Sequence, residues 1–353
     1  MIKLDLYDRK ILAELDVNAR VSSSKIAKKV RLPKETVNYR VKRLLDSNYI
    51  NCAYTLFNTS KIGYTAYKIF VKFKNLDPKM EDEVVDFIKK NHSCTHVLII
   101  QGYYDLFFLT MQRNLLDLKG FLNDFYHHFG QYVLEKEIHR IVTTHKINQK
   151  FLFDAPSVSV VIRVDEGKNI ALDKIDQQII ALISADARIK LIDIAAQLNI
   201  DPRIIRYRIK KLEEQNIIAG YAIEMNLDSL NQQMVELNIS LQDLDAIPSI
   251  IEFFDQAKVC SMAQEMIGKY DLNLELYVKD DTVLKDLIGR FRVMFAANYL
   301  YFDISHVYRE FMPSWCPFPL EIPKNNSKPE AMENNPIKVV RKNQQRQLIA
   351  VEA

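Results

Sequence analysis

The sequence predicts an α+β chain in which two small three-helix heads alternate with two larger β-α-β-β-α-β domains. Three observations carry that expectation. Residues 4–50 return without a gap as residues 172–218, with about a third of the positions identical. Leu4-Asp5-x-x-Asp8 answers to Leu172-Asp173-x-x-Asp176, Asn18-Ala19-Arg20 to Asp186-Ala187-Arg188, and Tyr39-Arg40-Val41-Lys42-Arg43-Leu44 to Tyr207-Arg208-Ile209-Lys210-Lys211-Leu212. Within each copy, helical periodicity comes first and strand alternation follows. The repeat is too long for a solenoid and suits a duplicated module.

Three short helices fit residues 4–48. Leu4, Tyr7, Ile11, Leu12 and Leu15 mark one helical face, and Asp5 and Asp8 sit where carboxylates complement a helix N-terminus. A second helix runs from Ser22 to Val30. Arg31-Leu32-Pro33 turns the chain into a third, about 34–47, whose inward side is Val37, Val41, Leu44 and Leu45. Asn48 ends it, and Asn216 ends its counterpart, because Asn tolerates a left-handed cap. Residues 51–63 read as extended.

The alternation of Tyr67, Ile69, Val71 and Phe73 with Lys68, Phe70, Lys72 and Lys74 predicts a half-buried strand. A helix at 79–90, strands at 95–101 and 106–112, a helix at 115–129 and a strand at 132–143 complete the domain. The second copy predicts strands near 235–241, 258–267, 272–278 and 299–309, with helices near 247–256 and 282–296. That order is the ferredoxin-like split βαβ. The expected divisions are a head at 1–50, a domain at 64–145, a connector at 146–171 with added strand, a head at 172–220 and a domain at 233–312. Residues 321–353 read as a mobile tail, with helical character near 338–350.

Composition narrows the classes. The 353 residues are 48% hydrophobic and 26% charged, as in ordinary globular proteins. No apolar run approaches a membrane span, and Met1-Ile2-Lys3-Leu4-Asp5 enters a helical pattern without a signal-type apolar region. Cys52, Cys94, Cys260 and Cys316 form no C-x-x-C pair, so neither a disulfide framework nor a metal site is expected, and a cytoplasmic setting is. No cofactor is expected either. The net charge of +3 hides an asymmetry: residues 1–50 hold 12 basic against 6 acidic side chains, residues 221–320 hold 7 against 15. The first head therefore suits a polyanion and the later domain does not.

Three helices, a short turn before the third, and a basic exposed face describe a helix-turn-helix sized for a major groove. In the first head, Lys34 opens the third helix. Arg40, Lys42 and Arg43 are the candidates for phosphates, and Glu35, Asn38 and Tyr39 point toward base edges. In the second head the counterparts are Arg203, Arg206, Tyr207, Arg208, Lys210 and Lys211. Asp201-Pro202 replaces Pro33-Lys34 there, which makes the second contact with DNA the weaker one.

These strings resemble the Lrp/AsnC family of transcriptional regulators. The resemblance rests on the paired motifs above, on Ile26-Ala27 and Asn48-Tyr49-Ile50, and on two turns, Gly102-Tyr103-Tyr104-Asp105-Leu106 and Gly268-Lys269-Tyr270-Asp271-Leu272. It covers about 1–145 and 172–312. It implies winged helix-turn-helix domains alternating with ferredoxin-like ligand-sensing domains, in a sequence-specific regulator of double-stranded DNA. It also implies self-association through the sensing domains and modulation by a small effector such as an amino acid. Carried over, Gly102, Tyr104, Asp105, Gly268, Tyr270 and Asp271 would border effector sites, an Asp meeting an ammonium. The alternative reading of each turn is a hairpin whose Asp serves local backbone. Family members usually carry one copy, so a covalent pseudo-dimer is expected here.

The competing class is an enzyme. The sirohaem decarboxylases share this two-domain plan, and Cys94-Thr95-His96-Val97 partly matches their histidine motif. The second copy has Cys260-Ser261-Met262-Ala263 instead. A lone histidine in an apolar strand is more simply a core residue. His92 and His96 fall across a turn, and His127-His128 lies on a helix surface, so no metal pair is expected. No phosphate loop or nucleophile elbow occurs, and no catalytic residue is assigned.

Overall fold

The computed structural model describes residues 3–153, 157–165, 167, 169–311 and 316. The tail expected at 321–353 lies outside the described residues.

The first head contains α1 (Leu6–Val17), α2 (Ser23–Val30) and α3 (Lys34–Asp46), followed by the wing strand β1 (Ile50–Phe57). Asp5 caps α1 in a reciprocal capping box with Asp8. Asn48 takes a left-handed conformation at φ 59°, and Asn216 does the same at 55°. Leu45, expected inside, is exposed, because the apolar stripe of α3 is completed by Val37, Val41 and Leu44.

The first ferredoxin-like domain then runs β2 (Thr65–Phe73), α4 (Pro78–Lys90), β3 (Cys94–Gln101), β4 (Leu106–Gln112), α5 (Leu115–Phe129) and β5 (Val133–Ile147). The connector contributes β6 (Ser159–Arg163), as its apolar content predicts. The second head is α6 (Lys174–Ala185), α7 (Leu191–Leu198), α8 (Pro202–Glu214) and wing β7 (Ile218–Met225). The second ferredoxin-like domain is β8 (Gln233–Leu241), α9 (Ile247–Gln256), β9 (Cys260–Ile267), β10 (Leu272–Val278), α10 (Asp281–Met294) and β11 (Tyr299–Phe311).

The two copies pair with each other inside one chain. Their strands close into a ring, β2-β4-β3-β11-β8-β10-β9-β5 and back to β2, with β6 added beside β5. Closure depends on two strands that change partners. β5 pairs with β2 of its own domain up to Arg140 and then with β9 of the other. β11 does the mirror operation, leaving β8 for β3 at His306. Helices α4 and α5 cover one side of the ring, and α9 and α10 cover the opposite side. Closing the ring satisfies strand edges that an open sheet would expose.

The heads obey the same approximate dyad. β1 and β7 form an antiparallel ribbon in which Tyr54 lies opposite its own repeat mate Ala222. Ala19 N donates to Tyr221 O at 3.0 Å, and Ala187 N donates to Ala53 O at 3.0 Å. Arg20 Nη1 donates to Ala187 O at 2.6 Å, while Arg188 returns the bond to Ala19 O. The packed core of the heads includes residues from both copies, so neither head stands alone.

Candidate nucleic-acid interface and sensing turns

Helix α3 turns two faces outward in different ways. Lys34, Glu35, Asn38, Tyr39 and Lys42 are exposed, Tyr39 to 65%. Arg40 and Arg43 are not presented with them. Arg40 Nη1 bonds Asp5 Oδ2 and Asp8 Oδ1, both at 2.8 Å, and its side chain is only 18% exposed. Arg43 Nη2 reaches Asp8 Oδ2 at 2.6 Å. The expectation that these two arginines reach phosphates is therefore corrected: both are turned onto the fully buried Asp8 and tie α3 to α1. Burial opposes ionisation of Asp5, but the Asp8 backbone N–H and the Arg40 guanidinium outweigh it and hold this carboxyl below its ordinary range.

The second head repeats the device. Arg208 Nη1 bonds Asp173 Oδ2 at 2.7 Å and Asp176 Oδ1 at 2.8 Å, so Arg208 joins Arg40 as a positioning group. The Asp176 backbone N–H, then Arg208, hold the Asp173 carboxyl low. Arg206, Tyr207, Lys210 and Lys211 are exposed. Lys210 pairs with Glu214 at 3.3 Å. Arg203 is exposed but folds back on Asp201 at 2.8 Å, and that contact holds the Asp201 carboxyl down to about 2. Asp201 thus occupies Arg203, which stands where the first head has Glu35, and Pro202 takes the place of the outward Lys34.

Both turn motifs sit where the halves touch. A Cβ on Gly102 would lie 2.2 Å from Ser305 Oγ and 2.9 Å from Ile304 O, both on β11. A Cβ on Gly268 would lie 2.4 Å from His139 Cδ2 on β5. The glycines admit the other half of the same chain. Asp105 Oδ2 accepts the Phe73 N–H at 2.8 Å, and Asp271 Oδ2 accepts the Leu241 N–H at 2.7 Å. Each Asp therefore stitches its turn to a neighbouring strand, the alternative reading of the motif. Tyr104 and Tyr270 are buried, donating to Glu135 at 3.0 Å and to Asp303 respectively. His139 Nε2 accepts the Tyr270 N–H at 3.1 Å, and burial, reinforced by Lys68 and Lys269, lowers its pKa to about 4.

Sequence reasoning missed the polar interior of the ring. Lys68 Nζ lies 3.1 Å from Glu236 Oε2, 2.8 Å from Asn273 Oδ1 and 4.0 Å from the Phe107 ring centroid. Asn273 also donates to Glu236 at 2.7 Å and to Asn238 at 2.8 Å. His96, the enzyme candidate, is buried against Glu310 at 2.9 Å. The alternation of β2 predicts a half-buried strand with Lys68 on its polar face. The ring instead buries both faces of each sheet. The usable signal was the repeat itself, in which Lys68 and Phe70 stand where the second copy has Glu236 and Asn238.

The winged helix-turn-helix DNA-binding family model matches residues 4–51 and 172–219. An HTH-type transcriptional regulator of Pyrococcus abyssi is 32% identical over 123 residues, which is 34% of this chain and 75% of that protein. The HTH-type transcriptional regulator LrpA of the same organism is 30% identical over 122 residues, 33% of this chain and 84% of LrpA. Among solved structures, the siroheme decarboxylase NirDL superposes with a TM-score of 0.60 at 14% identity, covering 87% of this chain and 92% of NirDL. That likeness is one of fold alone. The chain belongs to the Lrp/AsnC family of helix-turn-helix DNA-binding transcriptional regulators, in tandemly duplicated form.

Proposed function

We propose that one chain presents two recognition helices to a pseudo-palindromic site on double-stranded DNA and so replaces the dimer of single-copy relatives. The observation that carries this reading is the internal dyad, with β1 paired to β7 and α3 and α8 held as equivalents. Lys34 and Lys42 are the phosphate contacts of the first head, with Glu35, Asn38 and Tyr39 over base edges. Arg206, Tyr207, Lys210 and Lys211 serve the second, and Arg203 contributes after leaving Asp201. A small effector modulates binding, and chains associate further through their sensing domains. The exposed parts of the turns, Gly102, Tyr103 and Gly268, with half-buried Lys269, offer the surface for both. The setting is cytoplasmic, and no helix among the described residues is long and apolar enough to cross a membrane.

The fold shared with a decarboxylase raises a second reading, which the interior does not favour. The cavity inside the ring measures roughly 100 Å³. Pockets that enclose drug-sized ligands run to about 300–1,000 Å³, and a tetrapyrrole is larger than most such ligands. A gel-shift with genomic fragments at rising salt tests the regulator reading, because phosphate-driven affinity must fall steeply with salt. Salt-insensitive retention, or none, rejects it.

A further inference from the structure

The two inner walls of the ring have diverged. Strand register makes Phe70, Leu98, Phe107 and Leu109 of the first domain equivalent to Asn238, Gln264, Asn273 and Glu275 of the second, and Lys68 equivalent to Glu236. A homodimer imposes the same residue on both walls, whereas a fused chain is free to make one wall apolar and the other polar. The cavity lies between them. Leu56, Ala66, Phe107, Leu109 and Ile141 line its apolar side, and Glu236, Asn273 and Glu275 its polar side.

The charges define what this space takes. Lys68 is already engaged by Glu236 and Asn273 and lies over Phe107, so it has no capacity for an anion. His96 is held by Glu310. Carboxylates are in excess around the cavity and the small space that adjoins it: Glu224, Glu236, Glu275, Glu310 and Asp16 face Lys68, Lys146 and His96. Burial, then Glu236 and Glu310, push the Glu275 carboxyl up, and His96 and the Tyr277 hydroxyl only partly offset them. Ser261, 1% exposed, lines the adjoining space with Glu275, and its hydroxyl has no hydrogen-bond partner among the described residues.

We propose that the ring interior is a binding chamber for a small primary ammonium with a short aliphatic body, its charge on Glu275 and the Ser261 hydroxyl and its carbons against Leu109 and Ile141. The volume admits about four non-hydrogen atoms, by comparison with the roughly 150 Å³ cavity that holds benzene. An α-amino acid is disfavoured, since its carboxylate finds no uncommitted cation there. The roof is the segment joining the first head to its sensing domain. Asn58 N donates to Ile217 O of the second head at 2.9 Å, and Asn58 Nδ2 donates to Arg163 O at 3.1 Å. Occupancy of the chamber therefore bears on the contact between heads and ring. This regulatory consequence, unlike the binding itself, rests on the proposed function.

The test uses the full chain and calorimetric titration with n-propylammonium, n-propanol and acetate. Saturable one-to-one binding of n-propylammonium, at least tenfold tighter than the isosteric alcohol and with no acetate binding, supports the chamber. Glu275→Gln must lose tenfold or more. Should that variant not fold, Leu109→Phe fills the space without touching a carboxylate and must abolish binding. The proposal is overturned if no amine binds saturably, if alcohol and amine bind alike, or if every folded variant binds as the parent does. Failure here with intact salt-dependent DNA binding removes the chamber alone, and loss of DNA binding removes the regulator reading.

Discussion

Replacing Lys68 by Met removes the cation from a network that joins both halves of the chain. Lys68 and Glu236 side chains are 3% and 1% exposed, so solvent does little to screen what remains. Breaking a buried ion pair from one side costs about 3–5 kcal/mol. Glu236 keeps the Asn273 amide at 2.7 Å and is free to take up a proton, which moderates the loss. We expect about 2–4 kcal/mol for Lys68→Met and a similar loss for Glu236→Leu. The double variant leaves chiefly the Asn273 carbonyl without its donor, a deficit of about 1–2 kcal/mol. The two substitutions are therefore far from additive, with a coupling of at least about 2 kcal/mol. Urea unfolding followed by circular dichroism measures all four corners of the cycle. Single variants costing under about 0.5 kcal/mol, the range of ordinary surface changes, or a double variant equal to the sum of the singles, would refute the reasoning.

The division of labour on α3 predicts opposite signatures for neighbouring cations. Lys42→Ala leaves the melting temperature unchanged and lowers the salt slope of DNA binding by about one; Arg40→Ala destabilises the head by about 2 kcal/mol through loss of its Asp5 and Asp8 contacts, the lower end expected for a partly screened pair. Equal effects on stability would show the assignment to be wrong. Gly268→Ala costs about 1–3 kcal/mol, because the added methyl meets the His139 ring and forces the turn away from β5; a thermal melt at parental temperature contradicts that. Protonating His139 breaks its bond from the Tyr270 N–H. Its pKa is near 4 folded against an unfolded value near 6.5, so its stability is complete above about 6.5 and lost as pH falls toward 4. The span of that loss is at most about 3 kcal/mol, and His139→Gln must flatten the melting profile over this window.

Much of the local structure was legible because the pattern and the burial agree. Helix α5 begins at its Asn114 cap, and the strand bounds 106–112 and 272–278 are observed as expected. Asn48 and Asn216 announced their left-handed caps. What the sequence could not convey was the partner of each face. Arg40 reads as an outward cation on α3, and only packing against α1 reveals Asp8 beneath it. The Gly-x-Tyr-Asp turns read either as effector sites or as hairpins whose Asp serves backbone, and one copy's sequence does not tell that their glycines meet the opposite half. Lys68 reads as solvated because alternation does not tell water from a second polar-lined sheet. Where the two copies differ, at Lys68 against Glu236 and Leu109 against Glu275, the difference marks the inside of the ring.

The fused dyad predicts one chain for each occupied site however many chains associate, read as the chain-to-duplex ratio of the complex by light scattering at equivalence. Two chains per occupied site, each engaging one half of it, would contradict the claim that one chain is a complete reader of DNA.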